Sequence, residues 1–278
     1  MNNIMVGQDS CLVPLVPRLV LKFFIDFDGT ITTQDVGDAL FIKFGGEQCR
    51  DIVQEYYDEK ISAVECFHKE TTACGVVTIA ELNDFLDAQT IDESFVGFVQ
   101  YCKANGFELY ILSDGMDYYI HRILNRYGVG DVPVYANILT LQSTDTPLNP
   151  LSRGDSSDKK LSRVRLVPSF PYTDEVCTRC ASCKRNHMLN LSSDETIIAY
   201  IGEGYSDRCP VKFADVIFAK DELLKYCRRE EIPHAEYSTF SDIIKYVDKM
   251  IHKNGRTKLR LKKRRLAELA RREVFAGG

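Results

Sequence analysis

The chain alternates short apolar runs with longer stretches in which apolar residues recur at helical spacing. The apolar runs are rich in β-branched and aromatic residues and are bounded by turn formers, which is typical of buried strands. The stretches at residues 116–127, 221–229 and 240–252 are predicted helices. The alternation predicts an α/β fold, a Rossmann-like parallel sheet with helices on both faces. The predicted strands span residues 19–27, 107–114, 132–139, 196–204 and 214–220.

Two segments interrupt this alternation. Residues 33–92 show only helix-like patterns and lie between the first two predicted strands. We therefore predict an inserted helical cap at 33–92, carried by an α/β core formed by residues 19–32 and 93–250. Residues 142–174 are polar, and a structureless loop of that length is uncommon in a compact domain. We expect a polar insert there, in which "LSRVRLVPSF" forms a β-hairpin arm unless the segment is disordered.

The composition fits a folded globular protein, since 45% of the 278 residues are hydrophobic and 27% are charged. No run of eighteen apolar residues occurs without a charge, so no transmembrane helix is expected. Residues 11–27 come closest, but they contain two prolines and three charged residues, which argues against a signal peptide. We expect a soluble, cytoplasmic protein.

The net charge of −5 conceals an acidic body and a basic tail. Residues 253–278 contain ten Lys or Arg and two Glu, so this stretch carries +8 and the rest −13. Apolar residues recur within it at helical spacing, which predicts a basic C-terminal helix or tail. Anionic lipid, nucleic acid or an acidic protein face are its candidate partners. Folding back onto the acidic body, or a solvated and partly disordered helix, are the alternatives. The oligomeric state stays open.

Polar residues stand where the predicted strands end. "FFIDFDGTITTQD" leads an apolar strand into Asp26 and Asp28, although burying charge is costly unless it is paired or bound to a metal. A second strand ends in Ser113 and Asp114, a later helix opens with Lys184, and a later strand leads into "GEGYSD". Ligands of open α/β sheets bind beyond the carboxyl ends of the strands. Acids with a lysine and a serine there suit a divalent cation and a phosphate group.

In this order, the segments resemble the haloacid dehalogenase superfamily of phosphatases. "DFDGT" is similar to its first motif, Ser113 to its second, Lys184 to its third and "GEGYSD" to its fourth. The helical insert matches the cap position of the phosphoserine phosphatase-like branch. Within that branch, "CTRCASCK" resembles a run found in the hydroxy-keto-methylthiopentenyl-phosphate phosphatase and in the phosphoethanolamine/phosphocholine phosphatase. "GEGYSDRCP" resembles the fourth motif of the latter.

The resemblance implies a Mg²⁺-dependent phosphatase that hydrolyses a small phosphorylated metabolite through an aspartyl-phosphate. Asp26 would be the nucleophile, and Asp28 would act first as general acid and then as general base. The implied phosphate-binding residues are Thr30, Ser113, Asp114 and Lys184. The implied metal ligands are Asp26, Asp28 through its backbone carbonyl, Glu203 and Asp207.

One departure from the family pattern raises alternatives. Glu203 stands where the family usually has Asp, and Mg²⁺ demands near-ideal geometry at short distance. A catalytically weakened protein that binds phosphate and has a regulatory role is therefore the alternative to an enzyme. Phosphoryl transfer to an acceptor other than water is a third interpretation.

Two further features have both a functional and an ordinary interpretation. Asp35 is either a substrate-binding residue, as an acid near this position is in phosphoserine-cleaving relatives, or an acid in the first turn of a helix. Cys177, Cys180 and Cys183 form C-x2-C-x2-C, and with Cys209 they could form a structural zinc site. A loop of reduced thiols or a labile disulfide is the alternative.

Overall fold

The computed structural model describes four stretches of the chain. They are residues 20–144, 162–175, 177–193 and 195–252. The predicted basic tail and the middle of the predicted polar insert lie outside these stretches.

Helices and strands alternate along the described chain much as the hydrophobic pattern predicts. The strands are β1 (Val20–Ile25), β2 (Val76–Thr78), β3 (Glu108–Met116), β4 (Val134–Ser143), β5 (Arg163–Ser169), β6 (Thr196–Gly202), β7 (Val216–Ala219) and β8 (Ala235–Glu236). The helices are α1 (Val36–Gly45), α2 (Gln48–Tyr57), α3 (Ala63–Cys74), α4 (Ile79–Asp87), α5 (Phe95–Asn105), α6 (Asp117–Arg126), α7 (Lys184–Asn190), α8 (Asp221–Arg229) and α9 (Phe240–His252). In these stretches no helix combines the length and the apolar character needed to cross a membrane.

The strands form one sheet in the order β2-β5-β4-β3-β1-β6-β7-β8. Neighbours from β4 to β8 pair in parallel, whereas β5 is antiparallel to both β4 and β2. The α/β prediction is confirmed, and the predicted parallel sheet is extended at this edge by antiparallel strands, so the whole sheet is mixed. The strand in "LSRVRLVPSF" runs back along β4, with Val167 opposite Thr140, and so extends the sheet.

The inserted residues 33–92 are helical except at β2. The prediction of helix throughout this segment is wrong there, because Gly75 ends α3 with φ of +62° and a β-branched run follows it. Val76 lies opposite Arg165 of β5, so the insert also contributes an edge strand to the sheet. The division of the chain into core and cap domains stays a prediction.

The core lies on both faces of the sheet, as predicted. Along β1, Phe23 and Ile25 pack into one cluster of buried residues, while Phe24 packs into a second cluster. The first cluster includes Phe95 of α5 and Phe240 of α9, whose ring centroids are 4.9 Å apart. Because β1, β3 and β6 run in parallel, their carboxyl ends meet at one edge, and the loops there form the candidate site.

Candidate active site

The segment after β1 places a carboxyl group and a hydroxyl at the carboxyl edge of the sheet. The amide of Asp26 donates to the carbonyl of Ile201 in β6, 3.0 Å away, which fixes the backbone at the strand end. A tight turn follows, in which the amide of Thr30 donates to the carbonyl of Phe27. The Thr30 hydroxyl donates to Asp26 Oδ2 at 3.5 Å, so the two predicted groups share one corner of the site.

Lys184 opens α7, and its side chain reaches the same corner of the site. Its ammonium lies 2.6 Å from Asp26 Oδ1 and 2.8 Å from both Asp207 Oδ1 and Ser206 Oγ. The side chain is 1% exposed, and all three of its N–H donors are used. Burial disfavours the charged amine, but the carboxylates of Asp207 and Asp26 outweigh this effect and raise the pKa of Lys184. Lys184 is therefore a permanently charged group next to Asp26.

Asp207 is held by hydrogen bonds on both of its carboxylate oxygens. Oδ1 accepts from Lys184 and from the hydroxyl of Tyr200 at 2.6 Å, and Oδ2 accepts from the amides of Glu203 and Gly204 at 2.9 and 3.0 Å. Four donors occupy the lone-pair positions that a metal would need. In this arrangement Asp207 holds Lys184 and the fourth-motif loop, and it is not a free metal ligand.

The carboxyl group of Asp28 is held in the same way. Oδ1 accepts from the amides of Val36 and Gly37 at the start of α1, at 3.1 and 3.3 Å. Oδ2 accepts from the hydroxyl of Tyr119 at 2.7 Å and from that of Ser113 at 3.3 Å. Burial raises the pKa of Asp28 to about 6, against the opposing effect of the Tyr119 hydrogen bond. Its backbone carbonyl stays the candidate metal ligand.

An irregularity in β3 brings Ser113 into the site. The pairing register between β3 and β4 shifts between Leu112 and Met116, and such bulges re-aim side chains. The neighbouring Asp114 has another role: its Oδ1 accepts from the amides of Ala181 and Ser182, at 2.8 and 2.7 Å. This contact anchors the loop that leads into Lys184. The geometry gives no support to the prediction that Asp114 binds phosphate, since its carboxylate would repel an anion.

Glu203 accommodates its extra methylene by lying against Gly29. A Cβ atom placed on Gly29 would be 3.1 Å from the carboxyl carbon of Glu203, so the two loops are in close contact. Burial and the charges of Asp207 and Asp35 raise the pKa of Glu203 to about 7. The Glu203 carboxyl group therefore lies against the turn at Gly29, close enough to Asp207 and Asp35 for their charges to affect it.

The donor set fits a divalent cation. Burial and the charge of Asp207 raise the pKa of Asp26, because one lysine cannot offset several neighbouring carboxylates. Mg²⁺ binds through one or two carboxylates and keeps several waters. Among the described residues, no three His, Cys, Asp or Glu side chains are grouped to hold a metal. Asp26 and Glu203 are thus the carboxylates left to hold such an ion, together with water and phosphate oxygens.

The absence of three grouped His, Cys, Asp or Glu side chains among the described residues also removes the support for a zinc site, because all four predicted zinc ligands are among those residues. Cys177, Cys180, Cys183 and Cys209 are free thiols. Burial and the nearby Asp114 raise the pKa of the Cys180 thiol. The Cys-rich loop instead contacts the inserted helices, since the hydroxyl of Tyr56 donates to the carbonyl of Arg179 at 2.6 Å. The interpretation as a loop of reduced thiols agrees with these contacts.

A cavity of about 140 Å³ lies between the site and helices α1 to α3. Its lining includes the rings of Tyr57 and Tyr205, which are 5.5 Å apart. Three acids on or next to α1 and α3, namely Asp35, Asp38 and Glu70, also line it, and no Lys or Arg is among the described residues of its lining. The part of the cavity that the inserted helices form is therefore acidic and aromatic.

The structure places Asp35 at the start of α1 and in the lining of the cavity, and its role in substrate binding stays a prediction. Its Oδ1 accepts from the amide of Asp38 at 2.8 Å, which makes it the N-cap of α1, and it also lines the cavity. The surrounding protein and the charges of Asp28 and Asp38 raise its pKa, although the side chain stays exposed to solvent through the cavity.

Three residues of the site have no place among the sequence-based candidates: Tyr119, Tyr200 and Glu70. Each is buried on an otherwise apolar face, and a buried hydroxyl or carboxyl group needs a partner. A polar residue at a position where the pattern predicts an apolar one is therefore the signal by which a sequence can reveal such a group. It does not tell which partner the group finds.

Replacing Gly29 by Ala is expected to impair activity more than stability. Gly29 has φ of +66°, so any side chain costs roughly 1 kcal/mol there, and the new methyl group would also press on Glu203. We expect kcat/KM to fall roughly 10- to 100-fold, since small displacements in a site have effects of this size. Gly75→Ala is the matched control, because Gly75 has φ of +62° and open space around it. Equal activity losses in both variants would contradict the contact with Glu203.

Replacing Glu70 by Gln is expected to stabilise the protein at high pH. Glu70 is 3% exposed, and burial together with the charge of Asp38 raises its pKa to about 8. Between its ordinary value of 4.5 and 8, the native state binds more protons than the unfolded state, so stability falls as pH rises. Urea unfolding should show Glu70→Gln more stable than the unmodified protein by about 2–4 kcal/mol at pH 9 and equal to it at pH 4.

The control for this pH effect lies on the same helix. Glu65 caps α3 through Ser62, and those hydrogen bonds lower its pKa, so its charged form is favoured in the native state. Glu65→Gln should show no gain in stability at pH 9. A gain of equal size in both variants would mean that the effect reflects net charge and not the burial of Glu70.

Comparisons with known proteins agree with this arrangement. The family model described as Putative Phosphatase matches residues 20–232. The chain is 29% identical over 233 residues to a 2-hydroxy-3-keto-5-methylthiopentenyl-1-phosphate phosphatase of Brevibacillus brevis, covering 83% of this chain and 96% of that protein. It is 31% identical over 237 residues to Pdp3-interacting factor 1 of Schizosaccharomyces pombe, with the same coverage of both chains.

Solved structures show the same fold. A phosphoserine phosphatase with an analogue of the phospho-aspartyl intermediate matches with a TM-score of 0.56 at 17% identity, covering 82% of this chain and 98% of the other. A substrate-bound phosphoserine phosphatase matches with a TM-score of 0.55 at 18% identity, covering 82% of this chain and 97% of the other.

Proposed function

Since the chain belongs to the Putative Phosphatase family of the haloacid dehalogenase superfamily, we propose that it hydrolyses a small phosphate monoester through an aspartyl-phosphate on Asp26, with Mg²⁺ as cofactor. The observation that supports this most is the contact of 2.6 Å between the buried Lys184 ammonium and the Asp26 carboxylate, at the edge of the cavity. Two anions, the nucleophile and the phosphate, must meet in the reaction. A fixed positive charge beside them lowers that barrier.

The residues of this chain divide the reaction into two displacements. In the first, an oxygen of Asp26 forms a bond to phosphorus while the bond from phosphorus to the ester oxygen breaks, and protonated Asp28 gives its proton to the leaving oxygen. In the second, Asp28 takes a proton from water, whose oxygen displaces Asp26 from phosphorus. The hydroxyls of Thr30 and Ser113 hold phosphoryl oxygens throughout, and Lys184 exchanges its hydrogen bond to Ser206 Oγ for one to a third phosphoryl oxygen. A bound Mg²⁺, with Asp26, Glu203 and the Asp28 carbonyl as its candidate ligands, would supply charge neutralisation.

The cavity favours a particular class of ester. Its lining includes Asp35, Asp38, Glu70 and aromatic rings and, among the described residues, no Lys or Arg, so a second anionic group on the substrate would meet several acids and no cation. We infer that the non-phosphate end of the substrate is neutral or cationic. The Brevibacillus brevis relative is named for a methylthiopentenyl phosphate, an ester of the neutral kind.

The proposal is tested by phosphate release from p-nitrophenyl phosphate with Mg²⁺ and with EDTA. Turnover that requires the metal supports the phosphatase; phosphate binding without turnover, also with Mn²⁺ or Co²⁺, supports the alternative of a weakened binding protein. Alcohols added during turnover distinguish hydrolysis from transfer, because transfer yields new phosphate esters. The cytoplasmic location and the partner of the basic tail stay predictions.

The substrate class is tested with a matched pair of esters. Phosphoserine differs from phosphoethanolamine by one carboxylate, so we expect phosphoethanolamine to have at least a roughly tenfold higher kcat/KM, or a correspondingly lower inhibition constant against p-nitrophenyl phosphate. Equal values for the two esters, or preference for phosphoserine, would contradict the electrostatic interpretation of the cavity.

A further inference from the structure

A buried tyrosine on α6 is in direct contact with the predicted general acid. Tyr119 is 1% exposed, and its hydroxyl donates to Asp28 Oδ2 at 2.7 Å. This is the shortest of the four hydrogen bonds that Asp28 accepts through its side chain; the other donor to Oδ2, the Ser113 hydroxyl, lies 3.3 Å away. Tyr119 also lines the cavity, so it reaches the reacting region without being one of the motif residues.

Two glycines make room for this hydroxyl. A Cβ atom on Gly115 would lie 1.8 Å from the Tyr119 hydroxyl oxygen and 2.6 Å from Asp28 Oδ2. A Cβ atom on Gly37 would lie 3.2 Å from the same hydroxyl. Gly115 lies in β3, two residues after Ser113, and Gly37 is in the first turn of α1, so two separate elements leave space at the point where the hydroxyl meets the carboxyl group.

We propose that Tyr119 is a positioning residue for Asp28, which holds the carboxyl group in place for proton transfer to the leaving oxygen. This inference rests on the proposed function. Both lone-pair directions of Oδ2 are occupied in the structure, one by Tyr119 and one by Ser113. When the Ser113 hydroxyl turns to a phosphoryl oxygen, the direction it occupied becomes free to carry the proton. Tyr119 then keeps Oδ2 from rotating away.

Tyr119 is expected to lower the energy barrier most late in the first displacement, when Asp28 has given up its proton. The ester bond to phosphorus breaks, the proton of Asp28 moves to the leaving oxygen, and Asp28 becomes a carboxylate. A hydrogen bond to a charged acceptor is stronger than one to a neutral acceptor, so the Tyr119 hydroxyl binds the product of this proton transfer more strongly than the acid before it. An interaction that strengthens along the reaction lowers the barrier.

Esters whose leaving groups differ in their need for a proton distinguish the positioning of Asp28 by Tyr119 from a purely structural role of Tyr119. p-Nitrophenolate leaves without protonation, whereas an alkoxide needs the proton of Asp28. In Tyr119→Phe, we expect kcat/KM, which reports the first displacement alone, to fall roughly 10- to 100-fold for an alkyl phosphate that the unmodified enzyme cleaves. For p-nitrophenyl phosphate, kcat/KM should change less than about threefold. Tyr118→Phe is the matched control, because the neighbouring Tyr118 hydroxyl donates to Asn83 instead. It should leave both esters unaffected.

A double variant provides a second test that does not depend on the leaving group. If Tyr119 acts through Asp28, Tyr119→Phe should slow alkyl phosphate cleavage little further in an Asp28→Asn background. Equal losses for both esters in Tyr119→Phe, or additive losses in the double variant, would overturn the inference. These results differ from a failure of the proposed function, in which the unmodified enzyme releases no phosphate or Asp26→Asn stays active.

Discussion

Asp26→Asn is expected to reduce phosphate release from p-nitrophenyl phosphate by roughly 10⁴-fold or more in the presence of Mg²⁺. The amide keeps the shape of the side chain but cannot form the acyl-phosphate bond, and losing the nucleophile of a cooperating group of residues has effects of this size. The hydrogen bond from Lys184 to Asp207 remains in the variant, so the fold should persist. The measurement is kcat at saturating substrate, with EDTA added to a parallel sample of the unmodified enzyme.

The matched control is a carboxylate of the same type far from the site. Asp131 forms an exposed ion pair with Lys103, and Asp131→Asn should keep full activity, because such pairs contribute little to a folded protein. If Asp26→Asn were as active as the unmodified enzyme, Asp26 would not be the nucleophile. If the variant lost activity and also unfolded, circular dichroism would show it, and Asp26→Glu would replace it as the test of nucleophile position.

Lys184→Met is expected to reduce both activity and stability. The substitution leaves Asp26 and Asp207 buried without their shared cation, and removing one partner of a buried pair costs about 3–5 kcal/mol. Activity should fall roughly 10²- to 10³-fold, since a charged group that stabilises the transition state is lost. Urea unfolding and phosphate release measure the two effects separately. Lys103→Met is the control: its ammonium pairs with Asp131 at the surface, where both side chains are exposed, so the loss of stability should be about 1 kcal/mol or less.

The loss of stability in Lys184→Met should depend on pH in a defined direction. Without the ammonium, burial raises the pKa of the Asp26 carboxyl group unopposed by Lys184, so the native state binds a proton that the unfolded state releases. The variant should therefore be destabilised more at pH 8 than at pH 5. Adding Asp207→Asn to Lys184→Met should restore part of the stability and none of the activity. A pH-independent loss would mean that packing around the long side chain, and not charge, stabilises this region.

Several parts of the fold were accessible to prediction because their causes are local. The bounds of α8 and α9 match the pattern, since an amphipathic helix repeats its apolar residues every three to four positions. The strand β2 was missed, because three residues show too little alternation to be distinguished from the helices around them. The antiparallel course of β5 depends on its pairing with β4 and β2, which strand-like composition does not encode.

The candidate site shows the same limit at the level of single atoms. The motif order predicted that Asp26, Ser113 and Lys184 would meet, and the structure brings them to one sheet edge. The motif order did not predict that neighbouring amides would donate to the carboxylates of Asp207 and Asp114, or that Lys184 would donate to Asp207. These hydrogen bonds make the two acids anchors for the loops around the site. A carboxylate has the same identity in the sequence whether it faces a cation, an amide or a cavity.

The sequence by itself determined the α/β class, the helical insert and the order of the chemical groups along the chain. These features follow from residue periodicity and from the rule that parallel strands bring their carboxyl ends to one edge. Only the tertiary structure decided that Lys184 bridges two acids, that Glu203 lies on Gly29 and that Tyr119 reaches Asp28. The physical reason is that hydrogen bonds and charge interactions act over a few ångströms, between residues that are far apart in the chain, such as Lys184 and Asp26 with a separation of 158 positions.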